Sequence, residues 1–178
     1  MRKEIRFSGF GGQGVVLMGY IMGKALALNE GLEAVMTQAY GPEARGGASS
    51  ANIVVSDEPI AFPFVQEPNI LAILSQEAYK KFRNAAAPDA MILTDADLVS
   101  PMKKDKVHSI PATRLAEDLG RRIVANVIML GFMTSVTGIA KRASVEKAIE
   151  SSVKAKTILL NMEAFSLGFE YALKKEQA

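Results

Sequence analysis

Glu4-Ile5-Arg6-Phe7-Ser8-Gly9-Phe10-Gly11-Gly12-Gln13-Gly14-Val15-Val16 is the stretch on which the fold turns. Residues 4–8 alternate polar and apolar, as a half-buried strand does, and an apolar helical pattern follows from 15 to 28. Between them Gly9, Gly11 and Gly14 satisfy G-x-G-x-x-G, so the order is strand, glycine loop, helix. That order opens many Rossmann-like α/β domains. Glycine there permits a tight turn and lets an anion approach free N–H donors at the positive end of the helix dipole. The helix is apolar nearly all round until Lys24, so it is expected to pack on a sheet and on something else besides. Gly19 and Gly23 give it a shallow face.

Working outward, residues 33–39 read as a second strand that runs into Tyr40-Gly41-Pro42-Glu43-Ala44-Arg45-Gly46-Gly47, too rich in glycine and proline for regular structure. Residues 51–56 are β-rich, 56–59 supply a turn, and 60–64 are expected to return as an edge strand because Pro63 cannot donate to a ladder. Strand, helix and strand follow at 69–75, 76–87 and 90–94, with a last strand at 107–110. Helices are expected at 113–119, 121–137, 145–153 and 157–175, with Gly120 and Gly138 as punctuation. The expectation is one Rossmann-like α/β domain over 1–178, with a mostly parallel sheet, a β-hairpin insertion and a helical C-terminal part. No internal repeat or low-complexity tract interrupts it.

A chain of 178 residues buries enough surface to need no external staple. Lysine and arginine number 21 against 19 acidic residues, a net charge of +2, and no basic stripe forms, which disfavours a nucleic-acid partner. There is no cysteine and one histidine, His108, so thiolate nucleophiles, disulfides and cysteine-held zinc or iron–sulfur clusters are excluded. The first residues carry no apolar signal segment, and the expected location is cytoplasmic. Residues 123–140 are uncharged, but Asn126, Thr134, Ser135 and Thr137 lie among them, so a buried helix is expected rather than a membrane span.

Two loops are candidate sites. Gly9, Gly11, Gly12, Gln13 and Gly14 form a phosphate seat in principle. A dinucleotide site also wants an acid about 20 residues on, at the end of the second strand, and Thr37-Gln38-Ala39-Tyr40 offers none. The alternative is that the glycines serve close strand–helix packing or approach by another polypeptide. In the second loop, Arg45 beside Gly46 and Gly47 presents a bidentate donor to phosphate or carboxylate; an ion pair with Glu43 is the plainer reading. Loops following the first two strands of a parallel sheet emerge at one end, where such folds place their sites. Asp95 and Asp97 read as turn chemistry rather than metal ligands, and His108 as a surface residue with no catalytic partner. The pairs Met18/Met22 and Met129/Met133 read as core filling or, more sharply, as a subunit contact. Asn126, alone in an apolar helix, needs a hydrogen-bond partner and is expected to hold a loop or face an interface.

Taken in order, Gly9-Phe10-Gly11-Gly12-Gln13-Gly14-Val15-Val16, Tyr40 to Gly47, Leu74-Ser75-Gln76-Glu77-Ala78-Tyr79, and Arg122-Ile123-Val124-Ala125-Asn126-Val127 with Met129-Leu130-Gly131 resemble the gamma subunit of 2-oxoacid:ferredoxin oxidoreductases. The second loop is most similar to the 2-oxoglutarate branch. The resemblance implies a single gamma-type domain in an enzyme that decarboxylates a 2-oxoacid oxidatively, forms an acyl-coenzyme A (succinyl-CoA for 2-oxoglutarate) and reduces ferredoxin. It implies thiamine diphosphate, Mg2+ and [4Fe–4S] clusters in the complex rather than on this chain, and alpha, beta and ferredoxin-like delta partners. Tyr40, Gly41, Glu43, Arg45, Gly46 and Gly47, with residues 9–14 and Asn126, are then expected on the coenzyme A side. Two other readings stand beside it: an independent Rossmann-like nucleotide-binding oxidoreductase, and a purely structural packing subunit. The apolar helices also make a homodimer plausible for the chain alone.

Overall fold

In the computed structural model, which describes residues 1–39 and 48–176, the opening alternation becomes β1 (Arg2–Phe10). Ile5 and Phe7 enter the main core, while Arg6 turns to the opposite face, over the ring of Phe82. The helix after the loop is α1 (Val15–Lys24), which continues as a π-helical turn over Ala25–Asn29. Strands β2 (Glu33–Ala39), β3 (Ala48–Ser56), β4 (Ile70–Ile73), β5 (Met91–Asp95) and β6 (Val107–Ile110) complete one six-stranded sheet of order β2-β3-β1-β4-β5-β6. The helices are α2 (Gln76–Phe82), α3 (Ala112–Asp118), α4 (Ala125–Thr137), α5 (Arg142–Glu150) and α6 (Ile158–Glu176).

Strands β1, β4, β5 and β6 run parallel, whereas β3 lies antiparallel between β1 and β2. The sheet is therefore mixed, with its one reversed strand next to the edge strand β2. Strands β1 and β2 share a direction, and the register sets Phe10 opposite Ala48 and Ala39 opposite Ser50. The ends of β1 and β2 and the start of β3 thus meet at one edge, as expected for the two loops. The second loop itself, with Tyr40, Gly41, Glu43, Arg45, Gly46 and Gly47, lies outside the described residues.

Alternation divides the burial between two faces. Ile70, Ala72 and Leu74 join the main core with α1, α4, α5 and α6, while Leu71 and Ile73 join Ala78, Tyr79 and Val99 beneath α2. Helix α4 is buried continuously from Asn126 to Thr134, which explains its uncharged sequence: α6 covers the side that the sheet does not. Among the described residues no helix is long and apolar enough to cross a membrane. Met18, Met22, Met129 and Met133 are all buried in this core, which favours core filling over the alternative reading as a subunit contact.

The edge strand at 60–64 does not form. Pro59, Pro63 and Pro68 break up the segment, and side chains of β1 satisfy its backbone in place of a ladder. Arg2 donates to the carbonyl of Phe62 and Arg6 to that of Val65, both at 3.2 Å. Glu4 accepts from the amides of Gln66 and Glu67 at 2.7 and 3.0 Å. The antiparallel pair formed by consecutive strands is instead β2 and β3.

Candidate functional site

Helix α1 lies on one face of the sheet and leads toward β2; α2 lies on the other and leads toward β5. The loops after β1 and β4 therefore part in opposite directions, the arrangement that opens a crevice at the carboxyl ends of parallel strands. The glycine loop occupies that point. Gln13 locks it: its side-chain oxygen accepts from the amide of Phe10 at 2.6 Å, and its nitrogen donates to the carbonyl of Leu74 at 2.8 Å. The next residue, Ser75, caps α2 by accepting from Ala78 at 3.2 Å. One carboxamide thus ties the loop to the end of β4.

The glycines divide by role. A side chain on Gly9 would place its Cβ 2.5 Å from Gln13 and 3.1 Å from Leu74. Gly14 has φ +75°, and a Cβ there would stand 2.2 Å from the Asn126 amide nitrogen. Gly11 and Gly12 are exposed, and Gly12, at φ +94°, has open space where a side chain would be. Asn126 is 3% exposed and donates to the carbonyl of Gly14 at 3.3 Å, so the polar residue in the apolar helix holds the glycine loop. Gly14 precedes α1 with no side-chain cap and no acidic residue in the first helical turn. The dipole there meets no negative charge from its own helix.

Beside the loop is a cavity of about 240 Å³ lined by Gly12, Gln13, Leu74, Asp95, Thr113, Arg122, Ile123, Ala125 and Asn126. Its acid is committed. Asp95, 0% exposed, accepts from both the amide and the hydroxyl of Thr113 at 3.0 and 2.7 Å and from the amide of Asp97 at 2.9 Å. Asp97 in turn accepts from the amide of Arg114 at 2.9 Å. The two aspartates cap α3 from the end of β5, which is turn chemistry extended to a neighbouring helix. Burial pushes the Asp95 carboxyl above its ordinary value, against the lowering effect of its hydrogen bonds. Arg122 reaches Glu117 at 3.6 Å with both side chains largely exposed, a pairing of little energy that leaves the guanidinium available to an anion.

Gly11, Gly12, Gln13, Gly14 and Asn126 are therefore brought together at the crevice, while Gly9 packs beneath them. Asp95, Thr113 and Arg122 also line this cavity, which the sequence alone does not indicate. The signal available was their position, after β5 and at either end of α3, since both connections reach the same sheet edge as the glycine loop. His108 is exposed on β6, away from this edge. Among the described residues no group of three or more acidic or histidine side chains gathers as a metal site would require.

An open mixed sheet with helices on both faces and a glycine loop at its switch point is an α/β domain of nucleotide-fold type. A model of the pyruvate ferredoxin/flavodoxin oxidoreductase family matches residues 4–171, and the chain belongs to that family. The 2-oxoglutarate synthase subunit KorC of Methanocaldococcus jannaschii is 52% identical over 177 residues, covering 97% of this chain and 95% of that one. The keto/oxoacid ferredoxin oxidoreductase gamma subunit from Geobacter sulfurreducens, a crystal structure, matches with a TM-score of 0.89 at 39% identity over 98% of each chain. The 2-oxoglutarate:ferredoxin oxidoreductase from Magnetococcus marinus, solved with 2-oxoglutarate, coenzyme A and succinyl-CoA bound, matches with a TM-score of 0.86 at 20% identity. It covers 97% of this chain and 31% of that one, so the same fold there forms part of a longer polypeptide.

Proposed function

We propose that this chain is the gamma subunit of a cytoplasmic 2-oxoglutarate:ferredoxin oxidoreductase. It assembles with alpha, beta and ferredoxin-like delta chains and forms the coenzyme A side of the site. The observation that carries this reading is end-to-end identity of 52% with a 2-oxoglutarate synthase subunit of matching length. The reaction converts 2-oxoglutarate, coenzyme A and two oxidised ferredoxins to succinyl-CoA, carbon dioxide, a proton and two reduced ferredoxins. Thiamine diphosphate with Mg2+ and the [4Fe–4S] clusters supply the decarboxylation and electron transfer from the other chains. This cysteine-free chain has no thiolate to hold a cluster.

Its own contribution is binding. The uncapped start of α1, exposed Gly11 and Gly12, and Arg122 favour negative charge at one edge. The second loop leaves the sheet at the same edge, which supports placing Arg45 beside a coenzyme A phosphate. Asn126 and Gln13 act as positioning residues that keep the glycine loop in place. An independent nicotinamide enzyme is disfavoured by family membership and by Thr37-Gln38-Ala39 where a ribose-binding acid belongs.

The test is steady-state kinetics of the reconstituted complex bearing Arg45→Ala. The Michaelis constant for coenzyme A is expected to rise about tenfold, the loss of one charge-assisted contact, with assembly intact. An unchanged constant in an assembled complex overturns the ligand role. The internal engagement of Gln13 and Gly14 also suits a loop that serves subunit packing. On that second reading Gly11→Val abolishes assembly, whereas a ligand loop yields an assembled complex with impaired kinetics.

A further inference from the structure

A second and larger cavity, of about 600 Å³, adjoins the first and shares Ile123 and Asn126 with it. Its wall is mixed, with apolar Leu17 on α1, Val124, Val153 and Leu160 beside polar Ser152, Thr157 and Asn161, and its rim carries Arg121, Lys154 and Lys156. These three cations are exposed, and among the described residues none of their charged groups makes an ion pair or hydrogen bond. Among the described residues no acid lines the cavity.

One lining residue and two helix neighbours of lining residues are large apolar side chains facing water. Ile123 is 62% exposed at its lip, and Leu159, beside the lining residue Leu160, is 85% exposed. Tyr20, one turn along α1 from Leu17, is 51% exposed. Lys24 lies over the Tyr20 ring and donates to the carbonyl of Ser151 at 3.0 Å, joining α1 to the turn that forms the groove wall. A pocket for a small solute hides its apolar surface inside. Protruding apolar residues flanked by unpaired charge are instead the anatomy of a protein interface, with an apolar centre and a polar rim.

We infer that this groove docks another subunit of the oxidoreductase, through a segment that seats an apolar side chain between Ile123 and Leu160 and sets carboxylates against Arg121, Lys154 and Lys156. The sign of the rim fixes the chemistry of the occupant, because three uncompensated cations repel a basic segment and steer an acidic one. The inference rests on the proposed subunit role and adds the surface and the partner chemistry to it. The groove borders the glycine-loop cavity through Ile123 and Asn126, so docking here would also form a wall of the ligand crevice.

The test uses the complete complex, with tagged alpha, beta and delta chains and this chain untagged. The variants are Lys154→Glu/Lys156→Glu and Leu159→Asp, which alter exposed side chains, with the melting temperature of each free chain as the control for folding. Retention in the complex is expected to weaken at least tenfold in each variant, and wild-type retention to fall with added salt. A photo-crosslinker replacing Leu159 is expected to capture an acid-flanked segment of another subunit. The inference is overturned if both variants assemble with unchanged affinity. It is also overturned if the crosslinker captures only a second copy of this chain, or if the sole effect is a raised Michaelis constant for coenzyme A. A wild-type chain that fails to assemble at all overturns the subunit reading together with this one.

Discussion

Two residues on opposite sides of the crevice carry the clearest consequences. At Gly14 a side chain meets both a left-handed backbone and the Asn126 amide 2.2 Å away, so Gly14→Ala combines conformational strain with displacement of the loop support. It is expected to cost about 2 kcal/mol, read as a fall in melting temperature of about 4–8 °C in a chain of this size. Gly12→Ala has the same backbone strain with open space around it and should cost less. Asp95 gives a pH-dependent case. An acid whose folded-state pKa lies above its ordinary 3.8 holds its proton more readily when folded. Its contribution to stability is full below that ordinary value and is lost as pH rises through the raised one. The stability difference between wild type and Asp95→Asn should therefore move in the variant's favour as pH rises above 3.8. Urea melts across the acidic range measure that slope, and a difference that moves toward wild type would contradict it.

At the scale of elements, the crossing of α4 and α6 depends on two glycines that face one another's helices. A Cβ on Gly131 would stand 2.0 Å from the carbonyl oxygen of Phe165, and one on Gly168 would stand 1.9 Å from that of Ile128. Both obstacles are backbone, which cannot rotate aside as a side chain can. Gly168→Ala should force the helices apart and cost about 2–4 kcal/mol despite alanine's better helix propensity. A thermal melt of the variant checks this, and a stabilised protein would contradict the packing. Gly131 falls within a motif that marked the family resemblance, while Gly168 carried no signal, because its need arises only where α6 meets α4. The failed strand at 60–64 belongs at this scale too. A polar side chain on β1, 60 residues away, can satisfy a carbonyl as well as a ladder can, and alternation in the segment itself does not reveal it.

For the molecule as a whole, the chain has no cysteine, and among the described residues the acid of the glycine-loop cavity, Asp95, is engaged in capping α3. Purified alone, it is expected to show no 2-oxoglutarate-dependent reduction of a viologen dye, with activity appearing only on addition of the other subunits; turnover by the lone chain would contradict this. Much of the molecule was legible in the sequence. The strand–loop–helix opening, the buried character of α4 and the polar exception at Asn126 all follow from local alternation, glycine spacing and hydrophobic runs. What the sequence determined alone was most of the elements, the strand at 60–64 excepted, the glycine loop and the lack of cysteine ligands, because these depend on neighbouring residues and on composition. Only the tertiary structure decided that β3 runs antiparallel within the sheet, that Gln13 is spent on Leu74, that Asp95 and Arg122 share the glycine-loop cavity, and that three unpaired cations ring a partly apolar groove. These are contacts between distant segments, and their energies are set by which groups the folded chain brings together.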